Sequence, residues 1–241
     1  MHKSLRGEIE LADRQDLEAG QRPKRRILIV APHADDEVFG CGGTIAKAVD
    51  HGDRVDLVVM GLGGIRHRHL AEAVSGDGRR AELAASNTRL GIERCEVLFP
   101  AREMRLEEVP LLEMVSALDA VLDAGYDEIY LPPADHNGDH RRTHEAALAA
   151  LRPGARSMPE LIAVYESVGS AWVAPASPGA LYVDISRYLA RKLDALRCYV
   201  SQLREYPHPM SAEAVRRLAA CRGAECGCDS AERFTVLRMK R

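Results

Sequence analysis

Short apolar runs alternate with longer amphipathic stretches along this chain. Residues 27–31 read Ile-Leu-Ile-Val-Ala and follow the basic cluster Lys24-Arg25-Arg26. The run is short, continuous and rich in β-branched side chains, as a parallel strand buried on both faces requires. Runs at 55–60, 96–99, 128–131, 161–165 and 181–184 read as further strands. Between them the apolar spacing becomes helical: 38–49, ending at His51-Gly52; 77–90, closed by Gly91; 106–124, ended by Gly125; and 140–151, terminated by Pro153-Gly154. Two more helices are expected at 186–204 and 211–221, joined by the rigid connection Tyr206-Pro207-His208-Pro209. This alternation predicts an α/β fold: a doubly wound, mostly parallel sheet with helices on both faces. Residues 1–25 are charged and aperiodic and read as a flexible lead-in, which leaves a single domain over 26–241.

Composition narrows the function class. The chain has 241 residues, 46% hydrophobic and 29% charged, ordinary values for a globular protein with one substantial core. A net charge of −3 gives no global attraction to nucleic acid or to an anionic membrane. No apolar run reaches the length of a membrane span, and the N-terminal stretch lacks the apolar core of a signal peptide. A cytoplasmic location is therefore expected. The six cysteines then read as free thiols, and the trio Cys221, Cys226 and Cys228 lacks the paired spacing of a structural zinc site.

Two polar clusters stand out against this background. Pro32-His33-Ala34-Asp35-Asp36-Glu37 directly follows the first strand, at the C-terminal end where open α/β sheets place their ligands. Acidic residues favour the first turn of a helix, which accounts for Glu37. It does not account for one imidazole among three carboxylates, a group that repels itself unless a cation sits within it. His33 and Asp36 can curl toward one point while Asp35 projects differently. A catalytic zinc site needs a third protein ligand and an open position. The segment Asp135-His136-Asn137-Gly138-Asp139-His140, just past the strand at 128–131, supplies that ligand from the end of another parallel strand.

Pro32 to Glu37 resembles the P-H-x-D-D-E signature of the LmbE-like, or PIG-L, zinc N-deacetylases, and Asp139-His140-Arg141 resembles their D-H-R motif. Weaker similarity extends through Arg80-Ala81-Glu82-Leu83, Leu90-Gly91, Tyr165-Glu166, Lys192, Tyr199 to Gln202, Arg222-Gly223 and Ala231 to Phe234, so that it covers the chain from about residue 26. The resemblance implies a Rossmann-like, LmbE-type domain in which His33, Asp36 and His140 hold zinc, with Fe2+ an acceptable substitute for the same donors. It implies that Asp35 is the general base, taking a proton from the attacking water and returning it to the departing amine. Acetate and a free amine would result. In many family members a His stands three residues before the metal-binding His and assists the oxyanion; here that position is Asn137, with His136 one residue earlier. Either residue can donate, and His136 also reads as an exposed loop residue. Asp139 is expected to orient a neighbouring imidazole.

Substrate contacts are less sharply marked. Arg80 resembles a sugar-contacting arginine of the family, and it equally reads as a solvated helix face. Arg66, in the cluster Arg66-His67-Arg68-His69 after the Gly-rich loop 61–64, reads as a basic lid or as a solvated cluster. Tyr165 and Trp172 read as sugar-stacking or core residues. The expected substrate is a small N-acetylated molecule, an amino sugar by resemblance. A non-sugar N-acyl amine or thiol conjugate is the alternative, and a metal-containing carbohydrate-binding protein without turnover is a third. No nucleic-acid partner is expected; a homo-oligomer is compatible with the sequence.

Overall fold

Alternate residues of the first strand, β1 (Arg26–Ala31), serve two different cores. Ile27, Ile29 and Ala31 join one buried cluster and Leu28 and Val30 another, on the opposite face of the sheet. The same alternation recurs in β2 (Arg54–Leu62), where Val55, Leu57 and Val59 face one way and Val58 and Met60 the other. A strand whose two faces are both apolar must be covered twice, and helices on both sides do so. The computed structural model describes residues 23–64, 73–154, 157–166, 168–169 and 179–240. All but the last three residues of the expected lead-in lie outside that set.

After β1 come α1 (Asp36–Asp50), β2, α2 (Gly76–Leu90), β3 (Arg94–Pro100), a single 3-10 turn (Leu106–Glu108), α3 (Leu111–Leu122), β4 (Glu128–Leu131), α4 (Gly138–Ala150) and β5 (Leu161–Tyr165). The chain continues through β6 (Ala180–Asp184), α5 (Leu189–Leu196), α6 (Ala212–Cys226) and β7 (Ala231–Met239). These elements form one α/β domain built on a seven-stranded sheet of order β3-β2-β1-β4-β5-β7-β6. The first five strands in that order are parallel, and β7 lies antiparallel between β5 and β6. Two of the parallel crossovers run outward from β1 toward β3, and the chain then returns to place β4 on the other side of β1. The β1–β4 boundary is thus the switch point of the sheet, where a crevice opens beyond the strand ends.

Three expectations differ from the structure. The helix expected at 106–124 is divided by Pro110 into the 3-10 turn and α3, since proline has no N–H to continue the ladder. The helix expected at 186–204 is regular only over α5, and the chain leaves it to bring Tyr199, Ser201 and Gln202 toward the switch point. Strand β7 is additional to the expected elements. No helix among the described residues is long and apolar enough to cross a membrane.

Candidate metal centre and active site

The turn between β1 and α1 and the turn between β4 and α4 flank the switch point, and each contributes a histidine. Asp36 opens α1, and its Oδ2 accepts the His33 backbone N–H at 3.1 Å, curling the turn onto itself. The same oxygen lies 3.3 Å from His33 Nδ1 and 3.3 Å from His140 Nε2. Donor atoms of His33, Asp36 and His140 fall within 4.8 Å of one another, and all three side chains are largely shielded from solvent.

The outward nitrogen of each imidazole is held by its own carboxylate. His33 Nε2 is 2.9 Å from Asp139 Oδ2, and Asp139 Oδ1 accepts the Leu106 N–H at 2.9 Å. His140 Nδ1 is 2.9 Å from Asp135 Oδ2, and Asp135 Oδ1 accepts the Asn137 N–H at 2.8 Å. Asp139 therefore holds the distant His33, while the carboxylate on His140 is Asp135, which the motif reading did not single out. Two oriented imidazoles and one carboxylate, each anchored behind, fit a borderline divalent cation.

Electrostatics set the two aspartates apart. Burial would raise the Asp36 carboxyl, but both imidazoles oppose it and hold it far below the usual carboxylate range. Burial raises Asp35 instead, and the adjacent Asp36 charge adds to the effect, so Asp35 sits well above that range. For His33, burial is outweighed by hydrogen bonds to Asp139 and Asp36, which lift it to about 9. For His140, burial is outweighed by the Asp36 charge and the hydrogen bond donated to Asp135, which lift it to about 10.

Asp35 stands at the N-cap of α1, yet its side chain makes no capping bond. Its backbone carbonyl does that work, accepting from Val38 and Phe39 at 3.0 Å each. The free carboxylate lines a cavity of about 390 Å³ together with His33, Asp36 and His140. His136 and Asn137 line the same cavity, as do Phe39, Met104, Gln202 and Met210. Asn137 Oδ1 is committed to capping α4, accepting the Asp139 N–H at 2.9 Å, so only Nδ2 can donate into the cavity. A larger cleft of about 600 Å³ opens at the opposite ends of β1 and β4, lined by Arg25, Ile27, Glu128 and Tyr130. It lies away from the His33–Asp36–His140 centre, so size alone does not locate the chemistry.

The remaining candidates occupy different ground. Arg80 is exposed on α2 and does not line the cavity. Among the described residues the fully buried arginine is Arg79, which donates to Glu82, Glu103 and the Ala34 carbonyl. The sequence carried the signal, because Arg79, Leu83, Ser86 and Leu90 form the buried stripe of α2 and Arg80 falls off it. Tyr165 is a core residue: its ring packs on Gly40 and its O–H donates to the Val30 carbonyl. Arg66 and Trp172 lie outside the described residues.

Known proteins share this frame. One relative, the 1D-myo-inositol 2-acetamido-2-deoxy-alpha-D-glucopyranoside deacetylase of Mycobacterium sp. (strain JLS), is 26% identical over 244 residues, covering 80% of this chain and 79% of its own. The N,N'-diacetylchitobiose deacetylase of Pyrococcus horikoshii superposes with a TM-score of 0.69 at 27% identity, over 88% of this chain and 84% of that one. The conserved protein TT1542 of Thermus thermophilus has the same fold, with a TM-score of 0.72 at 24% identity over 90% and 96% of the two chains. The family model PIG-L, described as GlcNAc-PI de-N-acetylase, matches residues 28–151, more than half of the chain. That span runs from β1 through α4 and holds all three donors and the acids behind them; the chain belongs to the PIG-L family.

Proposed function

We propose that the protein is a zinc-dependent N-deacetylase that removes an acetyl group from an amino sugar or a glycoconjugate precursor. The observation that carries this reading is the separation of Asp35 from Asp36: Asp36 Oδ2 lies 3.3 Å from a nitrogen of each imidazole, whereas the Asp35 side chain makes no capping bond and lines the cavity. His33, Asp36 and His140 would hold zinc, which when bound would supply Lewis acidity toward water and an acyl oxygen; Fe2+ suits the same donors. Asp35, kept off the donor set, takes the proton of the attacking water. The same carboxyl, once protonated, can give that proton to the departing amine, so it serves as base and then acid. Asn137 Nδ2 and His136, which line the same cavity, are the groups assigned to donate to a developing oxyanion. Asp135 and Asp139 hold the two imidazoles in their donor tautomers.

A sugar fits the walls: Phe39, Met104 and Met210 offer apolar surface to a ring face, and Gln202 offers hydrogen bonds to hydroxyls. All six thiols are free, which supports a cytoplasmic setting. A screen of acetate release over N-acetyl sugars and nucleotide-linked N-acetyl sugars, using the zinc-loaded enzyme, tests the substrate class. Turnover of at least one N-acetylated sugar is expected. Silence on every sugar, with turnover of simple N-acyl amines, would overturn it.

A further inference from the structure

One peptide group in the site is gripped at both ends. Asp35 has φ 126° and ψ −29°, a conformation that L-residues rarely adopt and that persists only when its surroundings hold it. The peptide preceding that φ joins Ala34 to Asp35. Its carbonyl accepts from Arg79 Nη2 at 2.6 Å, and its N–H donates to Glu37 Oε2 at 2.9 Å. Glu37 and Arg79 are both wholly buried.

Each gripping group is itself braced. Glu37 Oε1 accepts the Tyr199 O–H, and the Arg79 guanidinium lies 5.9 Å from the centre of the Tyr199 ring. Arg79 Nη1 donates to Glu82 at 2.9 Å and Nη2 to Glu103 at 3.0 Å. Glu82 accepts the Ser201 N–H and O–H at 2.7 Å each, and Glu103 accepts the Gly63 N–H at 2.9 Å. Peptide, Glu37, Tyr199 and Arg79 thus close a ring, with α1, α2 and the segment after α5 each supplying one side chain.

We propose that Arg79, Glu37 and Tyr199 are positioning residues that clamp the Ala34–Asp35 peptide and so aim the Asp35 carboxylate at the reacting bond. The inference rests on the reading of Asp35 as proton carrier. With the clamp loosened, the peptide rotates toward an ordinary φ, and Cβ of Asp35 swings with it. Asp36 keeps its own contacts to His33 and His140, so the donor set stays in place. A residue that served folding alone would lose stability, metal and turnover together.

The test compares Glu37→Gln, Glu37→Ala, Arg79→Lys and Tyr199→Phe with the wild-type holoenzyme; Tyr199→Phe touches only the outer brace and guards against misfolding of the buried-charge variants. Glu37→Ala and Arg79→Lys are expected to lower kcat by about ten- to a hundredfold. KM and metal content should stay within about twofold. Glu37→Gln, which keeps an acceptor for the Asp35 N–H, should recover part of the loss, and Tyr199→Phe should fall between. Exchange of the Asp35 amide with deuterium should quicken by about tenfold or more in Glu37→Ala. Unchanged kcat and unchanged amide exchange would overturn the clamp, as would loss of metal in step with activity. Asp35→Asn separates the two ideas: near-normal turnover there defeats the proton-carrier reading, while the amide exchange of Glu37→Ala still decides the clamp.

Discussion

His33 and His140 divide their ring nitrogens in the same way, one toward Asp36 and one toward a carboxylate behind. Those carboxylates lift the imidazoles to about 9 and about 10, above the ordinary 6.5. Ligation needs both rings neutral, so near pH 7.5 metal uptake must expel about two protons, and apparent affinity must rise with pH up to about 10. Titration calorimetry in buffers of different ionisation enthalpy counts the protons; a count near zero contradicts the assignment. At this scale the motifs made the donors visible because their chemistry lies in residue type and short spacing. Asp135 was less visible because its partner His140 lies five residues on, across a turn whose shape the spacing alone does not fix. The Asp35 conformation was invisible, since nothing in an Asp-Asp pair announces a φ of 126°.

Helix α1 carries the centre, and it is pressed hard against β5. A Cβ at Gly40 would fall 2.3 Å from Tyr165 Cδ2, inside the ring that anchors to the Val30 carbonyl. Gly40→Ala is expected to cost about 1–3 kcal/mol, because neither ring nor helix has room to shift. Urea unfolding measures it, and an unchanged midpoint at unchanged slope would contradict the packing. Elements with continuous apolar runs, β1 and β4 above all, were legible because both their faces are buried. Strand β7 was not: it carries the buried Glu232, which accepts from the Gly43 and Thr44 N–H groups and from Lys192, while Leu237 and Met239 remain exposed. A strand that buries a charge and exposes apolar side chains hides the period on which the reading depends. The end of α5 was equally hidden, for no Gly or Pro marks it. Tertiary bonds to Glu82 and Glu37 draw the following residues away instead.

At the scale of the molecule, the parallel order β3-β2-β1-β4-β5 brings two loops from distant parts of the chain to one switch point. Strand–helix alternation foretold that architecture, whereas the insertion of β7 between β5 and β6 depends on antiparallel pairing with strands well before it in the chain. The larger cleft at the opposite strand ends shows why chemistry, and not volume, locates the site. Family membership and the deacetylase relatives agree with an N-deacetylase; the proposed division of labour gives Asp36 the metal and Asp35 the proton. Metal content and acetate release, measured on a single preparation of Asp35→Ala, test that division most directly. Acetate release should fall by at least about a hundredfold, while metal stays near about one ion per chain. Near-normal release, or loss of the metal together with the activity, would contradict it.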